Sequence, residues 1–388
     1  PDHTWNNLST YDQENDYSLE YLTVGPKINE IRSRSRPRQF FNGNIGGYES
    51  VFGADITISE VEYAIKKLKL KKSYGPDGIM GEVFIATSKW IAPKILHILH
   101  RIHKHNDPMP SLWEKGAQVY IYKGKGEPEK CGSYRPITLL NVAYKVWSKI
   151  LTMRLSLIIE LATNNTQTGY KQHKSTSHAL RQVLQFLQSD DSCENSLIVM
   201  DLAKAFDRVN RETLWTALYR QGLPIDFIIM LRAGHLNTKL CRKIGKHDYT
   251  NYIINNVGVF QGSPISALLF IIYMEDMLND FHKLNEIHKL PHNPQLQKER
   301  GIIMSTTRAK IKKYGEMWLY KNTMNEEDEE WRGPVPNEDE KWSEEVVDYV
   351  AYADDVTLPV PKHTQDEITQ KVKNFDKVAL ARGFNIKW

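Results

Sequence analysis

The sequence predicts an α+β protein with enough apolar residue for a sizeable core shared between subdomains, and three observations carry that expectation. Short apolar, β-favouring runs end in aspartate. One is Ser196–Asp201; another is Val346, Val347, Tyr349 and Val350 ahead of Asp354-Asp355, with Val356, Leu358 and Val360 after them. Amphipathic segments with helical spacing occupy 57–68, 81–105, 142–161 and 364–380. The 388 residues are 41% hydrophobic and 10% aromatic, which suits a globular chain.

Taken in order, residues 1–50 are polar and turn-rich, with a basic run at Arg32, Arg34, Arg36 and Arg38 that fits a solvated linker or a phosphate-contacting arm. A helix opens near Thr57, with Ser59 the expected N-cap and Glu62 completing a capping box. It shows Val61, Ile65 and Leu68 on one face and Lys66, Lys67, Lys69, Lys71 and Lys72 around it, then breaks at Tyr74-Gly75-Pro76-Asp77-Gly78. Residues 81–105 read as helical, with Ile91, Ile95, Leu96, Ile98 and Leu99 available for the core. Val119–Tyr122 is a strand, and Lys123-Gly124-Lys125-Gly126 a flexible, cationic loop. The helix 142–161 is amphipathic, with Lys145, Lys149 and Arg154 on its wet side. Asp207 falls six positions beyond Asp201, where a helix has begun, and is expected to be structural. Leu268 to Met274 form an apolar helix. Thr364 caps a last helix through Ile368, Val372, Phe375, Val378 and Leu380, which Gly383 ends.

The chemistry lies in the acidic run-ends. Tyr352-Ala353-Asp354-Asp355 reads as a tight turn between two strands, either a polar hairpin tip or a place for a hard divalent cation. Asp201 offers a third carboxylate if its strand is a neighbour. Three clustered carboxylates repel one another unless cations neutralise them, and two Mg²⁺ ions about 3.5–4 Å apart are the usual arrangement for in-line phosphoryl transfer. Other classes are disfavoured. Cys131, Cys193 and Cys241 have no spacing for zinc or a disulfide framework and suit a reducing compartment. No apolar stretch is long enough to span a bilayer and no signal peptide is visible. The net charge of +4 and pI near 8.7 are only mildly basic. The start at Pro1 suggests excision from a longer chain.

A set of motifs, in order, resembles a known family. Asp201-Leu-Ala-Lys-Ala-Phe206-Asp207, then Gly258-Val-Phe-Gln261-Gly262-Ser-Pro264-Ile-Ser266, then Tyr352-Ala-Asp354-Asp355 are similar to the palm of a reverse transcriptase. Gly124-Lys125-Gly126 with Tyr134-Arg135-Pro136-Ile137-Thr138-Leu139-Leu140-Asn141 resembles the fingers of non-LTR (LINE-type) retrotransposon enzymes. So does Gln167-Thr168-Gly169-Tyr170, followed by Lys174-Ser175-Thr176. Asp55-Ile56-Thr57, Glu60-Val61 and Lys72-Ser73-Tyr74-Gly75-Pro76-Asp77-Gly78-Ile79 resemble that lineage's extra N-terminal motif.

The resemblance implies a right-hand polymerase fold: an N-terminal basic extension 1–50, fingers 51–195, an antiparallel palm sheet in 196–282 and 346–388, and a thumb missing beyond it. It implies an RNA-directed DNA polymerase adding dNTPs to a primer 3′-OH. Asp201, Asp354 and Asp355 are the implied catalytic and metal-binding residues, with the Leu202 carbonyl as a further ligand. The implied cofactor is two Mg²⁺ ions, for which Mn²⁺ can substitute. Arg135, Lys125, Phe206 and Gln261 are the implied nucleotide contacts, Phe206 as the bulky residue that excludes a ribose 2′-OH. Lys72, Gly75, Asp77, Lys174, Gly262 and Tyr352 are the implied template and primer contacts. Expected partners are template RNA, a DNA primer, dNTPs and the endonuclease and thumb of a parent polyprotein, with no membrane. The expected location is nuclear with a cytoplasmic ribonucleoprotein stage. In that setting the basic run at 32–38 is expected to touch RNA.

Departures accompany the likeness. A basic-then-acidic insertion at about 283–345 replaces a normally short connection; its acidic part, with Glu326-Glu327-Asp328-Glu329-Glu330, is expected either outside the substrate channel and partly disordered or as a partner-binding excursion. Lys174 stands where relatives often carry arginine, and Lys387 is no secure match for the family lysine assigned to protonate pyrophosphate. Competing readings are a group II intron-encoded or telomerase-like polymerase, and a decayed element that only binds RNA.

Overall fold

The computed structural model describes Phe52 and residues 54–287, 349–360 and 364–387, apart from breaks at 106, 157–158, 160–162, 164, 173, 189–194, 222 and 246–247. The basic run at 32–38, Cys193 and nearly all of the 283–345 insertion lie outside the described residues.

Helices α1 (Ile58–Lys66), α2 (Gly81–Ala86) and α3 (Ser88–His105) lead into strands β1 (Lys115–Tyr122) and β2 (Tyr134–Leu140) and helix α4 (Val142–Ser156). The sequence correctly marks a helix after Asp55 but misplaces its start. Thr57, not Ser59, is the N-cap: its hydroxyl accepts from the Glu60 N–H at 3.2 Å, and the Glu60 carboxylate accepts from the Thr57 N–H at 2.8 Å. Arg154 also departs from expectation. It is wholly buried, and its guanidinium grips Glu60 at 2.8 and 3.0 Å and the carbonyls of Ala54 and Asp55. α4 is therefore apolar or paired on almost every side, and only Lys145 and Lys149 of its three cations keep partial exposure.

The Tyr74–Gly78 turn docks on Asn141 at the β2–α4 junction. The Asn141 Oδ1 accepts from the Asp77 N–H at 3.2 Å, and a Cβ added at Gly75 would overlap Asn141 backbone and side chain. Gly75→Ala is expected to cost about 1–3 kcal/mol through that overlap, read as a lower denaturant midpoint with unchanged slope.

Two sheets follow. In the first, of order β2-β1-β4-β5, β1 pairs antiparallel with β2 and parallel with β4 (Lys239–Arg242), and β4 pairs antiparallel with β5 (Ile253–Ile254). Helices α5 (Thr176–Leu187), α6 (Ala205–Arg208), α7 (Arg211–Arg220) and α8 (Ile225–Ala233) join the remaining strands. The second sheet has order β6-β7-β3-β8, from β3 (Ser196–Leu202), β6 (Val350–Tyr352), β7 (Asp355–Val360) and β8 (Ile386–Lys387), and every pairing between these strands is antiparallel.

Helix α9 (Ser266–Ile287) is buried from Leu268 to Asn279, as its apolar run from Leu268 to Met274 requires. It packs on α10 (Gln365–Ala381) through Phe281 and Phe375, with ring centroids 5.4 Å apart. Thr364 caps α10 as the sequence predicts, but Leu380 is 52% exposed, so the core face is Phe375, Val378 and Ala379 instead.

Candidate active site

Strand alternation decides which side chains of the second sheet share a face. Met200 and Leu202 of β3, and Val356 and Leu358 of β7, point into the core; Val199 and Asp201, Asp355 and Thr357 lie on the other face. The β3–β7 register sets Asp201 directly opposite Asp355, while β8 places Lys387 in register on the other flank of Asp201. Two like charges placed opposite each other oppose pairing unless something neutralises them. Asp354 is one residue earlier, in the turn between β6 and β7, where Tyr352 pairs with Asp355. The turn is a two-residue loop, Ala353-Asp354, between the paired Tyr352 and Asp355, and Ala353 at φ +59° takes the positive-φ position that such hairpin turns require. Leu202 is buried and paired with Ile386.

Behind Asp201 the chain turns at Lys204, φ +52°, into α6. This brings Phe206 against the α9 ring Phe270, stacked at 4.4 Å, with Tyr170 edge-on at 6.1 Å. Phe206 keeps part of its surface open. Tyr170 is 51% exposed, and burial of its hydroxyl, aided by the charge of Asp354, raises its pKa. The residue that lines this floor thus stands close to the acidic turn.

Gln261 donates its amide to Asp207, at 3.3 and 3.4 Å, and its carbonyl accepts from the Thr138 N–H at 2.7 Å. Gly262, at φ +131°, lies so close to the Thr138 carbonyl that the approach it permits is to β2. Burial pushes the Asp207 carboxyl up to about 6. Because that value exceeds the unfolded 3.8, the native state holds the extra proton between pH 4 and 6 and loses stability as pH rises through that window. Asp207→Asn keeps the acceptor for Gln261 and has no charge to bury. It is expected to match the parent protein below pH 4 and to exceed it by up to about 3 kcal/mol above pH 6, read from melting curves across pH.

The remaining expected contacts spread over the first sheet and its neighbours. Arg135 stands exposed on β2 opposite Ile121, and Lys125 is exposed in the loop after β1. Lys72 is exposed; Asp77, whose carboxyl burial raises in pKa, joins Gly75 at Asn141. Lys174 is half-buried ahead of α5. The register sets Asp201 opposite Asp355, with Tyr352 and Asp354 in the adjoining hairpin, and Gln261 bonds to Asp207, the residue after Phe206.

Two supports escaped the sequence reading. Arg211 is buried, with carbonyls of His235, Asn255 and Gly258 at 2.7–2.9 Å, and fixes the approach to Gln261. Gln167, fully buried, bonds to Ala353 in the acidic turn. Gln167 stands in the quoted Gln167-Thr168-Gly169-Tyr170 motif, but nothing in that motif marks its bond to the turn.

Carboxylate oxygens are hard donors, suited to Mg²⁺. Among the described residues no three acidic, histidine or cysteine side chains form a ready-made metal cage. Mg²⁺ in nucleotide sites does not need one, since it takes one or two carboxylates and completes its shell with water and substrate phosphates. The donor set fits that use.

Comparison with known proteins agrees with this geometry. Residues 121–292 match the family described as reverse transcriptase (RNA-dependent DNA polymerase). The chain is 28% identical over 232 residues to the probable RNA-directed DNA polymerase from transposon BS of Drosophila melanogaster, covering 57% of this chain and 25% of that protein. It is 25% identical over 225 residues to the Pol polyprotein from the type-1 retrotransposable element R2 of Popillia japonica (58% and 30%). To the probable RNA-directed DNA polymerase from transposon X-element of Drosophila melanogaster it is 32% identical over 174 residues (43% and 19%). The chain thus spans under a third of the length of these relatives. The family match ends at residue 292, short of Tyr352, and the β3–β7 register joins the acidic turn to the matched part.

Proposed function

We propose that this chain is the polymerase core of a non-LTR retroelement protein, copying RNA into DNA by adding dNTPs to a DNA primer. The observation that carries this reading is the opposition of Asp201 and Asp355 across β3 and β7, with Asp354 one residue away. In this reading 51–195 are the fingers, and 196–282 and 346–388 the palm. The relatives named as RNA-directed DNA polymerases support it.

The carboxylates of Asp201, Asp354 and Asp355, with the Leu202 carbonyl, would hold two Mg²⁺ ions, which would supply a lowered pKa for an attacking hydroxyl and charge to offset the triphosphate and pyrophosphate. The protein's own groups do the positioning. Arg135 and Lys125 contact the triphosphate, the planar fork of Arg135 matching phosphate oxygens. Phe206, braced flat on Phe270, presents a rigid wall beneath the sugar. Gln261 buttresses that wall through Asp207, and Lys72, Lys174, Gly262 and Tyr352 line the path of template and primer. Nuclear action with a cytoplasmic ribonucleoprotein stage is the location that accompanies this chemistry.

A DNA primer on an RNA template, dNTPs and Mg²⁺ should give extension that a chelator stops; absence of Mg²⁺-dependent extension on RNA would overturn the proposal. Phe206→Ala should raise ribonucleotide incorporation relative to dNTPs by about tenfold or more, about 1.4 kcal/mol of discrimination, in competition assays. Unchanged sugar selectivity would remove Phe206 from the gate.

A further inference from the structure

The Tyr352–Asp355 turn contains a buried alanine, Ala353, in the left-handed region at φ +59°, a conformation that costs a non-glycine residue free energy and persists only when its surroundings hold it. The holding comes from a segment far away in sequence. Residues 166–169 lie alongside β6 as a further, parallel edge: Gln167 bridges to Ala351, the Ala351 N–H donates to the Thr166 carbonyl at 2.9 Å, and the Thr168 N–H donates to the Ala351 carbonyl at 2.9 Å.

From this edge the Gln167 side chain reaches into the turn. Its Oε1 accepts from the Ala353 N–H and from the Gly169 N–H, both at 3.0 Å, and its Nε2 donates toward the Ala353 carbonyl at 3.4 Å. Both backbone groups of Ala353 are therefore met by one amide that is itself 0% exposed. Gly169 completes the fit, since an added Cβ there would overlap the Ala353 backbone. Tyr170 then carries the same segment onto Phe206.

We propose that Gln167 is a positioning residue, clamping Ala353 so that Asp354 and Asp355 are held at a fixed place beside Asp201. This rests on the polymerase reading above for its consequence in catalysis, but not for the clamp itself. A primary amide suits the role because it alone offers an acceptor and a donor on one planar end, matching the paired N–H and C=O of a single residue. A site whose ligands must stay within about 0.5 Å of the productive arrangement gains from such a second layer of support.

The test uses Gln167→Met, similar in length but unable to make these bonds, with Ala353→Gly as the compensating change, because glycine adopts positive φ without strain. Amide hydrogen exchange at Ala353 should speed up by about tenfold or more in Gln167→Met. The turnover number for primer extension should fall by about tenfold to a hundredfold, while the affinity for primer–template is kept. Mn²⁺ titration followed by electron paramagnetic resonance should show weaker binding. Adding Ala353→Gly to Gln167→Met should recover much of the turnover and the Mn²⁺ affinity, which a merely structural role would not produce.

Parent-like exchange at Ala353 and parent-like Mn²⁺ affinity in a folded Gln167→Met protein would overturn the proposal, as would failure of Ala353→Gly to rescue. Should Gln167→Met not fold, Gln167→Asn, whose amide falls one methylene short, is read the same way, with the same outcomes deciding. A parent chain that does not extend primers, while exchange and Mn²⁺ affinity respond to Gln167→Met as described, would sink the polymerase reading and leave the clamp standing.

Discussion

Arg154→Met is expected to destabilise the folded chain by about 3–5 kcal/mol, the largest stability loss among the substitutions considered. The guanidinium and the Glu60 carboxylate are 0% and 1% exposed, so deleting the cation strands an anion in the core. Two carbonyls, of Ala54 and Asp55, lose their donor as well. The damage extends to the start of α1, because Glu60 is both the partner of Arg154 and the return arm of the Thr57 capping box. Adding Glu60→Gln to Arg154→Met should recover part of the loss, since a neutral amide still caps the helix without burying charge. Denaturant unfolding of the two variants reads both effects. An Arg154→Met protein within about 1 kcal/mol of the parent would contradict the buried pair's role.

The largest effect on activity is expected at the acidic residues. Asp354→Ala and Asp201→Asn should each lower primer extension by at least about a thousandfold, about 4 kcal/mol of transition-state stabilisation. The double variant should be hardly worse than either single one, because groups that hold the same metals fail together. Stability should go the other way. Asp201 faces Asp355 across the sheet, and removing one of two opposed like charges relieves repulsion when no metal is present. Melting in a chelator should therefore show Asp201→Asn at or above the parent. A fall in stability that parallels the fall in activity would mean that these carboxylates hold the fold rather than perform chemistry.

How much of this was legible in the sequence depends on how local the deciding contact is. The hairpin around Asp354 was legible because alternation over a few residues decides which face each side chain takes, and β6, β7 and their register follow it. The Thr364 cap was legible for the same reason. The start of α1 was not. The sequence offers two overlapping boxes, Thr57 with Glu60 and Ser59 with Glu62, and the choice is made by Arg154, 94 residues beyond Glu60. That same distant partner turned Arg154 from an expected wet residue into a core one. β4 was missed because Lys-Leu-Cys-Arg is short and half charged, and only its parallel neighbour β1 makes it a strand. Within the site, Asp201, Phe206 and the Tyr352–Asp355 turn could be read from their motifs. Gln167 also stands in a motif, but its bond to Ala353, across 186 residues, could not be read there.

The account stands or falls on whether the opposed carboxylates of β3 and β7 transfer nucleotides. Single-nucleotide incorporation onto a DNA primer annealed to RNA, with Mg²⁺, is the measurement that asks this most directly, with the Asp354→Ala protein run alongside. The parent chain should add the templated dNTP and Asp354→Ala should add none above background. Equal incorporation by the two proteins would contradict the assignment of the site.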